Sequence, residues 1–141
     1  MKKKRNIAFI VELLLLFIIL LFVIVVITQT FMKSRSQSLY ARHLTEAVSL
    51  AESVAEVSMA ASGRDEAVSM LGEMEQVQSV SDAGEIIGLE MKFAPEGGRT
   101  DHYRAEIRRT EEDAFVTEEI LVFFADETEP IYSLETGNYL K

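Results

Sequence analysis

The chain has no cysteine. Disulfides, thiolate metal centres and cysteine nucleophiles are therefore excluded. Tryptophan is absent too, and proline occurs only at Pro95 and Pro130. No glycine precedes Gly63, so the first 62 residues contain no residue that breaks a helix. Histidine is scarce, with His43 and His102 alone, and neither has a second histidine at ligand spacing. No glycine-rich phosphate loop follows a strand pattern, and no Gly-x-Ser-x-Gly elbow exists. With no nucleophile placed beside a base, the sequence reads as no enzyme, with no cofactor, metal or small-molecule substrate expected.

Basic charge is scarce beyond the first quarter of the chain. Residues 1–35 carry six bases against Glu12, a net +5. Residues 36–141 carry eight bases against 22 acids, a net −14. So acidic a body lacks the patch that would neutralise phosphates, which argues against nucleic acid as a partner. It would also be repelled by anionic lipid. The acidic run Asp126-Glu127-Thr128-Glu129 lacks the ligand spacing and glycine of a calcium loop and reads as a solvated turn.

What is abundant is a single apolar run. Ile7 to Ile27 holds 21 residues, of which only Glu12 is charged. As a helix it would span roughly 30 Å, the thickness of the hydrocarbon core of a bilayer. A secretory signal has a shorter apolar core and a small-residue cleavage site. The segment Thr28-Gln29-Thr30-Phe31-Met32 offers no such site, so a retained span is expected. Lys2, Lys3, Lys4 and Arg5 precede the run, and only Lys33 and Arg35 closely follow it. That bias places the N-terminus in the cytoplasm and the body outside. The expected layout is a basic leader over residues 1–6, a transmembrane helix over 7–30 and an extracytoplasmic domain over 31–141.

Glu12 is the unusual residue, because a carboxylate in hydrocarbon is costly unless paired or protonated. Either it reaches back to Arg5 or the headgroups, or it has an assembly role. A short basic leader, then Phe9, then Glu12 opening a run of Leu, Ile and Val, resembles the N-terminus of type IV pilins and pseudopilins. The resemblance implies cleavage by a prepilin peptidase between Ala8 and Phe9. It also implies pairing of Glu12 with the N-terminal amine of a neighbouring subunit. Ala8 stands where the family usually has Gly, and Glu12 would be the fourth mature residue rather than the fifth.

Past the span, apolar residues keep a helical period. Tyr40, Leu44, Ala47, Val48, Ala51, Ala55 and Met59 share one face. Leu39, His43, Leu50, Val54 and Val57 form an adjoining stripe. Arg42, Glu46, Ser49, Glu52, Ser53 and Glu56 fill the polar arc. One stripe could hold the protein's own sheet and the other a neighbour; a juxtamembrane coiled coil or stalk is the alternative. The expected helix covers 31–60. A second helix is expected over 62–75, with Asp65 and Glu66 in its first turn and Gly72 weakening it.

Strands are expected over 86–141. Ile87, Leu89, Met91 and Phe93 alternate with polar residues, as do Tyr103, Ala105 and Ile107. Phe115 to Ala125 is apolar on both faces in its middle and reads as a central strand. Turns are expected at Pro95-Glu96-Gly97-Gly98 and from Glu111-Glu112-Asp113. A terminal hairpin of Ile131–Leu134 and Tyr139–Lys141 is expected around Glu135-Thr136-Gly137-Asn138. The fold class is thus α+β, a long N-terminal helix packed on a small antiparallel meander, which is also the pilin-like plan. The function implied is a membrane-anchored minor pilin-like or pseudopilin-like subunit of a type IV pilus, secretion or DNA-uptake system. Its partners would be other pilin-like subunits, met through the N-terminal helix. The alternative is a single-pass membrane protein whose small exported domain binds a ligand or stabilises a complex.

Overall fold

A computed structural model describes residues 2–94, 98–112 and 115–139, with side chains in the first helix from Asn6 onward. The fold is α+β. Helix α1 runs Lys2–Ala60 and α2 runs Arg64–Gly72. Five strands follow: β1 Val77–Asp82, β2 Ile86–Phe93, β3 Asp101–Glu112, β4 Phe115–Phe124 and β5 Tyr132–Tyr139. They form one antiparallel sheet in the order β1-β2-β3-β4-β5. The chain divides into two compact units, Met1–Ala41 and Arg42–Lys141, and α1 contributes to both.

In the first unit, α1 is one helix long and apolar enough to cross a membrane. Its large apolar side chains from Ile7 to Ile27 are all exposed, with Phe22 at 70 %. Thr28 and Thr30 return their hydroxyls to the carbonyls of Ile24 and Val26, which removes two polar groups from the surface of the helix.

In the second unit, α1 from Arg42 to Ala60 lies on the sheet. Ala47, Ala51 and Ala55 recur every fourth residue and are buried, and Leu50 and Val54 beside them are buried too. They meet Ile87, Leu89, Met91, Tyr103, Ala105, Ile107, Ile120 and Val122 in one core. Cross-strand register stacks Ile87, Ile107, Ile120 and Leu134 in one row and Leu89, Ala105, Val122 and Tyr132 in the next. The small alanines let the helix come close to those rows, and each large aliphatic contributes about 1.5–3 kcal/mol by its burial. Both apolar stripes of the helix thus supply this core, rather than one being left for a neighbour. A five-strand sheet is wide enough to cover both.

Glu46 departs further from its expected place on the polar arc, being only 6 % exposed. Helix α2 is shorter than expected and ends at Gly72, with Glu73 as its C-cap. Its N-cap is Gly63, and the Glu66 carboxylate accepts from the Ser62 amide at 2.8 Å, satisfying one free donor at the helix start. β1 was not expected as a strand. It pairs with β2 through a register shift between Val77 and Ser79, a bulge that interrupts its period-two pattern. Gly84, at φ 82°, supplies the left-handed residue in the β1–β2 turn, and Asp82 accepts from its amide.

β4 is interior, between β3 and β5, as its two-faced apolar run requires, and β3 is the middle strand. Phe123, on the face away from α1, is only 6 % exposed because the Arg104 guanidinium lies 4.6 Å from its ring centre. Instead of a terminal hairpin, β5 is one continuous strand through Glu135, Thr136, Gly137 and Asn138. Gly137 is tolerated there because the Phe115 ring packs over it; a Cβ would stand 2.5 Å from Phe115 Cζ. Glu111 and Glu112, expected in a turn, belong to β3. Asp113, most of the Pro95–Gly98 turn and the last two residues of the expected hairpin lie outside the described residues.

Candidate functional site

Ala8, Phe9 and Glu12 lie within one helical turn or so of one another on α1. All three are exposed, Phe9 at 65 %. Glu12 has no hydrogen bond or ion pair among the described residues. The surface here is an apolar cylinder with one carboxylate, chemically suited to lipid or to another such helix.

Two polar clusters are built where α1 crosses the sheet. In the first, Arg42, His43 and Glu46 come from one turn of α1, Asp101 and Tyr103 from the start of β3, and Phe124 from the end of β4. Glu46 is saturated: Arg42 Nε donates to Oε1 at 2.7 Å, and the Tyr103 hydroxyl donates to Oε2 at 2.6 Å. Arg42 also reaches Asp101 Oδ2 at 3.3 Å. His43 Nδ1 lies 3.2 Å from the Tyr103 oxygen, and its ring rests 4.1 Å from that of Phe124. With the Tyr103 proton given to Glu46, the free role of that oxygen is to accept from His43 Nδ1–H. Burial pushes the Glu46 carboxyl up, but the bonds from Tyr103 and Arg42 and the charge of Arg42 outweigh it. The group is held below the usual carboxylate range. Burial and the bond to Glu46 push the Tyr103 phenol well up, so it stays protonated and is no nucleophile.

The ligand atoms of His43, Glu46 and Asp101 lie within 4.8 Å of one another, which would suit a cation. Each carboxylate is already bound to Arg42, however, and an ion would have to displace that guanidinium or overcome its charge. The cluster ties helix to sheet.

In the second cluster, Arg109 on β3 and Glu118 on β4 are cross-strand partners. Glu118 is fully buried, and the Arg109 side chain is 4 % exposed. Glu118 Oε1 accepts from Ser58 Oγ at 2.8 Å and from Arg109 Nη1 at 3.2 Å. Arg109 also donates to Glu111 at 3.0 Å and to the Ser58 carbonyl at 3.4 Å. Glu118 Oε2 is buried without a partner. Burial raises the Glu118 carboxyl, and the opposing bonds from Ser58 and Arg109 do not restore it.

Sequence reasoning singled out none of these buried ions. Glu46 and Glu118 sit among charged neighbours in the chain, and periodicity assigns such positions to solvent. One signal was available: Glu118 falls on the same strand face as Ile120 and Val122. Compared with protein-family models, curated proteins and solved structures, the chain finds no match.

Proposed function

We propose that the chain is a membrane-anchored structural subunit of minor pilin-like or pseudopilin-like type, working in a type IV pilus, secretion or DNA-uptake system. One observation carries this reading. A single uninterrupted helix, Lys2–Ala60, presents an exposed apolar surface with one carboxylate over its first part. Its last part forms the core of a unit with an antiparallel meander. That is the pilin-like division of labour between an assembling helix and a displayed domain. The basic cluster Lys2–Arg5 supports an orientation with the N-terminus in the cytoplasm and the sheet outside. The polar clusters are structural ties, which accords with a role in assembly rather than catalysis.

In this reading Glu12 binds the amine freed at Phe9 of a neighbouring subunit, in a setting where losing one partner strands the other. The test combines intact mass with crosslinking in the native membrane. The mature protein should lack residues 1–8, and Glu12→Leu should insert normally but lose crosslinks to other pilin-like subunits. Retention of Met1 together with unchanged crosslinking of Glu12→Leu would assign the helix to a plain single-pass anchor.

A further inference from the structure

We propose that the free edge of β5, with the groove between it and α1, is a docking site for an extended basic segment of a partner protein. The segment would add as a sixth strand. The two edges of the sheet differ. β1 carries a bulge, ends in Asp82, and is tied to α2 by Arg64, whose Nη2 lies 2.7 Å from Asp82. Those are the devices that protect an edge from pairing. β5 has no bulge and no such tie to a helix, and its one charged residue is the exposed Glu135. The strand pairs with β4 over eight residues without a register shift, contains no lysine or proline, and has no strand on its other side among the described residues. Such an edge offers a row of main-chain donors and acceptors to an incoming strand.

The groove beside it is open and about 590 Å³. Its strand wall is Leu134, Thr136 and Asn138; its helix wall carries Glu52 and Glu56, one turn apart. No base lines it. Charge selects the occupant. A second copy pairing β5 with β5 about a two-fold axis would bring two such acidic walls together, within bodies that are each strongly acidic, and like charges in apposition are disfavoured. A strand with Lys or Arg at alternate positions places those side chains on one face, against Glu52 and Glu56, while its backbone completes the sheet. The site does not depend on cleavage at Phe9 or on Glu12.

An intramolecular strand tests this without knowledge of the partner, because tethering holds the segment at high effective concentration. An Asn-Gly turn and a strand alternating valine with lysine are appended after Lys141 of the full chain, in neutral detergent. Both phases of the alternation are made, and glutamate replaces lysine in a matched pair. The readout is amide hydrogen exchange along β5. One lysine phase should slow exchange at least tenfold at low salt, and the glutamate tails should leave it within twofold. Glu52→Lys/Glu56→Lys should reverse that order. Equal protection by both tails, or protection by neither, would overturn the proposal. So would β5 protection in the untailed chain that grows with protein concentration, because the occupant would then be a second copy.

Discussion

Glu46 on α1 and Glu118 on β4 are both buried carboxylates between helix and sheet, and each touches an arginine, yet their carboxyls are shifted in opposite directions. At Glu46 both oxygens are met, one by Arg42 and one by Tyr103. At Glu118 both donors converge on Oε1, and Oε2 is left bare. Burial alone therefore does not set the charge state of a carboxyl. At Glu46 the donors on its two oxygens outweigh burial, and at the more deeply buried Glu118 the two donors on one oxygen do not.

The largest test removes the buried cation. Arg109→Met leaves Glu118 beside apolar neighbours with only Ser58 as donor, and should cost about 3 kcal/mol, as breaking a buried pair does. Guanidinium unfolding of the full chain in detergent, followed by tyrosine fluorescence, reads it. Arg109→Met/Glu118→Met removes both charges and should recover most of that loss. A double variant as unstable as the single one would show that packing, not charge, holds this end. At the other end, Tyr103→Phe strips one donor from Glu46 and should cost about 1.5–3 kcal/mol, the range for a hydrogen bond to a charged group. Arg42→Gln should cost less than Tyr103→Phe, because the Arg42 side chain is 42 % exposed and water replaces it. The reverse order would mean that the ion pair, not the phenol, holds Glu46 ionised.

The smallest effect is the most diagnostic. Glu46 is lowered on folding, so its contribution is present above the ordinary carboxylate range and is lost as pH falls through the folded value. Glu118 is raised, so its contribution is present below that range and is lost as pH rises. Between about pH 3 and 7, Glu46→Gln and Glu118→Gln should therefore change the pH slope of stability in opposite senses. Slopes of the same sign would break the contrast.

Much of the scaffold was legible in the chain. The uninterrupted helix followed from the absence of Gly and Pro before Gly63, β2 and β3 from their alternation, and β4 from an apolar run on both faces. β1 was hidden because its bulge breaks the period of two in a segment rich in Gln and Ser. β5 was mistaken for a hairpin because Glu-Thr-Gly-Asn has the chemistry of a turn. Only the Phe115 ring on the neighbouring strand shows why Gly137 can stay extended. The buried acids escaped for a similar reason. The partner that makes burial tolerable for Glu46 is Tyr103, 57 residues away. Periodicity sees nothing at that distance.

That distance has a consequence for the order of events in the making of the chain. Every neighbouring pair of strands in the sheet is consecutive in sequence, so the sheet closes through short loops. The polar ties from α1 to the sheet do not. His43 meets Tyr103, and Ser58 meets Glu118, each across 60 residues. At about 5–20 residues per second, a ribosome takes roughly 3–12 s to deliver the second partner after the first. Ala47, Leu50, Ala51 and Val54 are synthesised before any strand, and during those seconds β1 and β2 follow, with β3 and β4 coming later. The helix side of the core is made first, and the strands that cover it follow one at a time in the order they hold in the sheet.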